Sequence, residues 1–159
     1  MLHALIKMSS IRLAFLFLLI SFGSGTVFAH SQTTEVSQEK IRELISKTFD
    51  QPNLKVEIAP IVIVGKVAIA DWIQGQKGGR ALLKRKHADW EIIACGGAGF
   101  KDANTIAASG ISKEIANNIA DQLRVAEAKL SPQKIKQLDS FDGVVTMRHN
   151  AQHGSQSKH

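Results

Sequence analysis

The sequence predicts an α+β domain, in which an N-terminal helix and several C-terminal helices pack on a four-stranded antiparallel β-meander. The first observation is that short apolar runs between Ile61 and Gly97 are separated by turn signals, as consecutive antiparallel strands are. The second is the helical spacing of apolar residues on both sides of this stretch. The third is that 159 residues with 44% apolar side chains suffice for one domain with a core.

Three turn signals divide the meander. Gly65-Lys66 suits a two-residue hairpin loop, Gln74–Gly79 carries three glycines, and His87–Asp89 forms the third turn. Within the last strand, alternation places Trp90 and Ala94 on one face. Apolar residues on both faces lead us to expect helices on one face and a partner, a ligand or the rest of the chain on the other. The predicted strands are Ile61–Val64, Val67–Trp72, Arg80–Lys86 and Trp90–Cys95.

The chain before the meander adds one helix and one strand. Ser37 is predicted to cap a helix that ends near Phe49, after a polar and flexible stretch over residues 30–36. Leu54–Ala59 alternates between apolar and polar residues, which is typical of a half-buried strand. Pro60 follows directly, so we expect an edge or a bend there.

The chain after the meander is predicted to be helical. Asp102, Ser112 and Ser131 each precede a helical segment and can cap it. The longest segment, Lys113–Leu130, carries an apolar stripe at helical spacing. Val144–Met147 can form a short final strand.

Residues 1–29 have the pattern of a secretory signal peptide. Lys7 and Arg12 form a basic start, Leu13–Phe22 an apolar core, and Val27 and Ala29 the small residues before a cleavage site. The alternative is an uncleaved anchor, but the apolar run is shorter than the roughly 20 residues that span a bilayer. We expect cleavage after Ala29 and a periplasmic protein without stable membrane insertion. Its parts are one α+β domain over residues 30–148 and a flexible histidine-containing tail over 149–159.

The charge of the chain does not indicate nucleic acid as a partner. The leader holds two basic residues and no acidic one, so its removal lowers the net charge from +6 to +4. The basic residues within 77–86 have no aromatic residues between them, and aromatic residues make up only 6% of the chain. Base stacking requires exposed rings, so this composition argues against nucleic-acid binding.

The first candidate metal ligand is His30, which cleavage after Ala29 would leave at the start of the exported chain. Its α-amine and imidazole would then form a bidentate nitrogen chelate, a donor set that suits Cu(II). The alternative is a terminal histidine without a metal role. A cut one residue away would remove this site.

The second candidate set lies at the other end of the chain. His149 and His153 are four residues apart, within the spacing seen between paired histidine ligands. Met147 adds a thioether, a soft ligand that suits Cu(I). These residues predict weak and exchangeable copper binding, and the alternative is a tail without a role.

Catalytic constellations are not evident. Cys95 is the single cysteine and is interpreted first as a small buried hydrophobic residue, with a nucleophile or a third soft ligand as alternatives. A nucleophile needs an adjacent base, and His87 lies one hairpin away. Asp71, in mid-strand, is predicted to be a carboxylate at the rim of the sheet. No paired carboxylates or Ser/His/Asp set stands out, so we predict a protein that is not an enzyme.

Three stretches of the chain carry a resemblance to a known family: Asp71–Leu83, Trp90–Gly97 and Phe141–Met147. Together they resemble the small exported bacterial family of copper uptake system-associated proteins, and the resemblance covers Val56 to His149. The resemblance implies a periplasmic protein linked to copper handling. It supplies no catalytic or ligand residues to transfer to this chain.

The leading hypothesis is a periplasmic accessory protein that binds or passes copper in uptake or homeostasis. Its partner would be a membrane copper transporter or another periplasmic copper protein. The alternative is a small α+β module that holds an apolar ligand or a protein partner in a curved sheet, with Trp72 and Trp90 in its pocket and no metal role. A third hypothesis is an enzyme that uses Cys95.

Overall fold

A five-stranded antiparallel sheet forms the centre of the protein. The computed structural model describes residues 26–147. The sheet has the order β1-β2-β3-β4-β5, so each strand pairs with its neighbours in sequence. The predicted α+β class is confirmed, and the fifth strand joins the sheet beside β4. The strands are β1 Glu57–Val64, β2 Val67–Gln74, β3 Lys77–Lys86, β4 Asp89–Gly96 and β5 Val144–Thr146.

Helices cover both faces of the sheet. On one face the longest later helix buries Ile119 and Leu123 against Ile69 and Leu82 of the central strands. On the other face the N-terminal helix buries Ile41 and Ile45 against cross-strand neighbours of the same sheet. The described helices are α1 Thr26–Phe49, α2 Ala103–Ala108, α3 Lys113–Glu127 and α4 Pro132–Leu138, with a 3-10 turn at Ala98–Lys101. None of the helices within residues 26–147 has the length and apolarity that a bilayer crossing requires.

The start of α1 differs from the prediction. The helix begins at Thr26 and not at Ser37, and it includes the stretch 30–36 that was expected to be flexible. Ser37 is buried inside the helix and does not cap it. The reason is that residues 26–36 contain no glycine or proline, so the backbone hydrogen bonds continue outward from the packed part of the helix.

The predicted N-terminal caps of the later helices are confirmed, while the predicted C-terminal end of α3 is wrong. The side chains of Asp102, Ser112 and Ser131 accept hydrogen bonds from backbone N–H groups in the first turns of α2, α3 and α4. The long helix α3 ends at Glu127 and not at Leu130.

The second turn is shorter than predicted because two glycines belong to β3. Gly78 and Gly79 lie in the strand, where neighbours approach the backbone closely. A Cβ atom on Gly78 would lie 2.9 Å from the carbonyl oxygen of Gln137 in α4. A Cβ atom on Gly79 would lie 3.0 Å from Cζ2 of Trp72. These glycines therefore permit close packing and do not mark a turn.

Two register shifts also correct the predicted strands. Two strands were predicted on either side of Pro60, but a single edge strand, β1, runs through this proline. The pairing of β1 with β2 absorbs the proline by a register shift between Ile58 and Ile61. The predicted edge position of this proline is confirmed. Between β3 and β4 a second shift leaves Ile93 without a partner in β3. Trp90 and Ala94 consequently lie in the cores on opposite faces of the sheet, although alternation predicted one face.

Candidate metal site

A small cavity lies on the α1 side of the sheet and has a volume of about 200 Å³. Its walls combine three aromatic rings, two sulfur-bearing side chains, one amide and one aliphatic side chain. Most of this lining is apolar, and the exposed side chains of Val145 and Met147 leave the cavity open to solvent beside β5. The lining residues are Phe49, Trp72, Gln74, Cys95, Phe141, Val145 and Met147.

The pairing of β4 with β5 brings the two sulfur-bearing residues to this cavity. Cys95 pairs directly with Val145, and Met147 follows Val145 by two residues. The N–H group of Met147 donates a hydrogen bond to the carbonyl oxygen of Ile93 at 2.9 Å, which extends the pairing beyond the strand. Residues two apart in an extended chain share a face, so Met147 and Cys95 both line the cavity.

The aromatic walls are held by contacts between distant parts of the chain. The rings of Trp72 and Phe141 meet edge to face, with centroids 6.0 Å apart. The side-chain amide of Gln74 donates to the carbonyl oxygen of Phe49 at 2.8 Å and to that of Leu54 at 3.0 Å. The end of α1 is thereby fixed to β2, which places Phe49 in the wall.

The environment of Cys95 does not favour nucleophilic chemistry. Its side chain is buried, and this burial raises the pKa of the thiol to about 11. His87 is exposed in the β3–β4 turn, before the start of β4, whereas Cys95 lies near the end of that strand. The six strand steps from Asp89 to Cys95 alone span about 20 Å at 3.3 Å per residue. His87 is therefore out of reach as a base.

The predicted metal ligands are not all brought together. Met147 lies at the cavity, while His149 and His153 lie outside the described residues. The backbone of His30 lies in α1, and Phe49 at the far end of this helix is the residue that reaches the cavity. Nineteen helical residues span about 28 Å, so His30 belongs to a different part of the molecule. Across residues 26–147, no group of three or more His, Cys, Asp or Glu residues is arranged to hold a metal ion.

A buried cluster of charges lies on the opposite face of the sheet, and the sequence did not predict it. Arg80 of β3 is completely buried. Its Nε donates to Oε1 of Glu127 in α3 at 2.6 Å, and its Nη1 donates to the carbonyl oxygen of Leu138 at 3.3 Å. Its Nη2 lies 2.9 Å from Oδ1 of Asp139, which follows α4. One guanidinium thus joins β3 to α3 and to the end of α4.

Asp71 is the most unusual member of this cluster. It was predicted to be at the rim of the sheet, which is wrong, because its side chain is fully buried opposite Arg80 in the β2–β3 pairing. Its Oδ1 lies 3.8 Å from Arg80 Nε, and no described residue donates a hydrogen bond to either carboxylate oxygen. Burial, followed by the charge of Glu127, raises the pKa of Asp71 to about 8. Its carboxyl group is therefore mainly protonated at neutral pH.

Asp139 behaves in the opposite way. Partial burial opposes its ionisation, but hydrogen bonds with Lys101 and Arg80 outweigh this effect and lower the pKa of the carboxyl group. Lys101 Nζ donates to Asp139 Oδ2 at 2.6 Å. Asp139 is therefore the ionised carboxylate that connects the buried guanidinium to a surface ammonium group.

One sequence signal for this cluster is visible in retrospect. The buried stripe of α3 runs through Ala116, Ile119, Ala120 and Leu123, and the next position of that stripe is Glu127. A carboxylate on a buried stripe needs a cationic partner, and Arg80 is an arginine within an apolar strand.

Comparisons with protein-family models, with curated proteins and with solved structures found no match for this chain.

Proposed function

We propose that this chain is a periplasmic, non-catalytic copper-handling protein that binds copper at the cavity shared by Cys95 and Met147. The observation that carries the proposal is that the two sulfur-bearing side chains line one small apolar cavity. The sequence continues from Met147 directly into His149 and His153, which we propose as further ligands. A membrane copper transporter or another periplasmic copper protein would exchange the metal with this site.

The chemistry of the cavity favours Cu(I) over Cu(II). Thiolate and thioether are soft ligands, and soft ligands select Cu(I). The pair of one thiolate and one monovalent cation is neutral, so its transfer into the apolar cavity costs less than that of a divalent ion.

Copper binding at Cys95 would be coupled to proton release. The buried thiol has a pKa of about 11 and holds its proton at neutral pH. A metal ligand must be the thiolate, so each bound Cu(I) displaces one proton. We therefore expect the apparent Cu(I) affinity to rise about tenfold per pH unit over a range in which the other ligands do not titrate.

The test is an anaerobic Cu(I) competition titration against a chromophoric chelator. The variants are Cys95→Ser, which keeps the shape of the side chain, and Met147→Leu, which keeps its volume. Changes beyond the first ligands cost about 10- to 100-fold in affinity, so loss of the thiolate should cost at least about 100-fold. Val125→Ala, on the exposed side of α3, is the control and should bind as the wild type does. Unchanged affinity of Cys95→Ser would exclude the cavity as the copper site.

The histidines call for separate experiments. His149→Gln combined with His153→Gln should weaken Cu(I) binding less than Cys95→Ser, because histidine nitrogens are harder ligands than sulfur. We propose His30 as an independent Cu(II) site at the start of the exported chain. An extra residue placed before His30 should abolish Cu(II) binding there, and a titration with unchanged affinity would remove this second site.

A second candidate function uses the same cavity without metal. Its apolar walls suit an apolar ligand, as expected for a small α+β binding module. The volume of about 200 Å³ is below the roughly 300–1,000 Å³ of drug-sized pockets, so the ligand would be small. Trp72 lines this cavity, whereas Trp90 lies at the other end of β4. Tight binding of a small apolar probe by Cys95→Ser, together with no copper binding by the wild type, would favour this alternative.

A further inference from the structure

One short segment joins the buried charge cluster to the cavity. Asp139 at its start lies 2.9 Å from Arg80 Nη2. Two residues later, Phe141 contacts Trp72 in the cavity wall. The same segment continues through β5 to Met147, which also lines the cavity. The two features occupy opposite faces of the sheet, and this segment passes from one to the other.

The backbone at the start of this segment lies close to two glycines of the sheet and of the loop after it, whereas residues 142–147 are exposed. A Cβ atom on Gly97 would lie 2.3 Å from the carbonyl oxygen of Phe141 and 2.9 Å from that of Asp139. A Cβ atom on Gly79 would lie 3.1 Å from Cδ2 of Phe141. Closely packed groups transmit displacements because no void absorbs them. A shift of Asp139 is therefore expected to move Phe141.

The charge of Asp71 changes the balance around Arg80. With Asp71 neutral, the carboxylates of Glu127 and Asp139 face the cations Arg80 and Lys101, and the cluster has no net charge. Ionised Asp71 adds a third carboxylate to a site where charge is poorly solvated, and it attracts the same guanidinium. Lys136 lines the groove beside Glu127 and Asp139, outside the ion pairs of the cluster.

We propose that this cluster regulates the copper cavity as a proton-dependent latch. Protonated Asp71 leaves Arg80 free to hold Asp139, which keeps Phe141 and β5 closed over the cavity. Ionised Asp71 competes for Arg80 and repels Glu127 and Asp139, so the segment from Asp139 to Met147 loosens. Only the consequence for copper rests on the proposed function, because the movement itself involves no metal.

The test reports on the cavity wall without copper. In a Trp90→Phe background, Trp72 is the single tryptophan and lies against Phe141. Its fluorescence should show a transition between pH 6 and 9.5 in this background, and Asp71→Asn should abolish the transition and keep the low-pH signal throughout. Asp139→Asn should give the high-pH signal already at pH 6. Asp121→Asn, an exposed carboxylate of α3, is the matched control and should retain the transition.

Amide hydrogen exchange of Met147 provides a second measurement without the tryptophan substitution. Its N–H group bonds to Ile93, so loosening of the segment exposes it. The exchange rate of the wild type divided by that of Asp71→Asn should be about one at pH 6 and rise above one at pH 9. Comparison at the same pH removes the intrinsic pH dependence of exchange.

Three results would overturn the latch. One is a transition that persists in Asp71→Asn, and another is wild-type behaviour of Asp139→Asn at pH 6. The third is an exchange ratio that stays at one. In the copper titration, the wild type should lose Cu(I) affinity relative to Asp71→Asn above pH 8. If the chain binds no copper while the metal-free transitions follow these expectations, the proposed function fails and the latch stands.

Discussion

Arg80 Nε donates a hydrogen bond to Glu127 Oε1 at 2.6 Å, between residues that are 47 positions apart and are both buried. This contact attaches the end of α3 to the middle of the sheet. Removing two charges from water is costly, and a buried pair is stable only when further hydrogen bonds satisfy it. Arg80 gains one such hydrogen bond, to the carbonyl oxygen of Leu138, and an ion pair with Asp139.

Replacing Glu127 with Ala should destabilise the protein strongly. The change leaves the buried guanidinium of Arg80 without its closest carboxylate, and breaking a buried pair costs about 3–5 kcal/mol. Urea denaturation measures the free energy of unfolding. Asp121→Ala, which removes an exposed carboxylate of the same helix, should change it by less than about 0.5 kcal/mol. An equal decrease in the free energy of unfolding of both variants would show that the buried contact of Glu127 stabilises the protein no more than an exposed carboxylate does.

The contribution of Asp71 to the stability of the wild type should fall as the pH rises from about 4 to about 8. The pKa of Asp71 rises from 3.8 to about 8 in the folded protein, so the folded state binds more protons than the unfolded state in this window. The contribution of Asp71 is complete below pH 4 and is lost by pH 8, with a slope of up to about 1.4 kcal/mol per pH unit.

The measurement is the free energy of unfolding of the wild type minus that of Asp71→Asn at each pH. The subtraction removes the effects of all other titrating groups. The free energy of unfolding of the wild type should therefore decrease relative to that of Asp71→Asn as the pH rises from about 4 to about 8. A difference that does not change with pH would mean that Asp71 is ionised in the folded protein.

Replacing Gly97 with Ala should be disruptive. The new Cβ atom would lie 2.3 Å from a backbone carbonyl oxygen of Phe141, and backbone cannot move aside as a flexible side chain does. Overpacking typically costs about 1–3 kcal/mol, and we expect this variant at or above the upper end. Gly99→Ala is the control, because its nearest contact would be an ordinary 3.5 Å to Cγ2 of Thr105. Thermal melts of the two variants that coincide would contradict the close approach at Gly97.

Cys95 should react slowly with thiol reagents in the folded protein. Burial restricts access and holds the pKa of the thiol at about 11, so little of the reactive thiolate exists at neutral pH. Iodoacetamide labelling followed by mass spectrometry measures the rate. Labelling in urea should be much faster and serves as the reference. If the folded protein is labelled as fast as the protein in urea, the thiol is accessible, and the hypothesis of an enzyme that uses Cys95 is supported.

The sequence alone was sufficient for features that depend on neighbouring residues. The turn at Gly65-Lys66 and the helix caps at Asp102, Ser112 and Ser131 follow from local backbone preferences. The turn predicted over His87–Asp89 is also present, although it is one residue shorter because Asp89 begins β4. The apolar runs between these signals likewise determined the antiparallel meander. Met147 was identified as a soft ligand from its side-chain chemistry alone, and its use by a metal stays a prediction.

Tertiary structure decided which charged residues are buried and which candidate ligands line the same cavity. Asp71 and Arg80 look like surface residues in sequence, because their burial depends on helices that begin more than 30 residues later. Cys95 and Met147 line one cavity only because β5 returns to pair with β4. A local pattern reports the preference of a backbone segment. The dielectric environment and the partner of a side chain are set by distant parts of the chain, which only the assembled fold brings together.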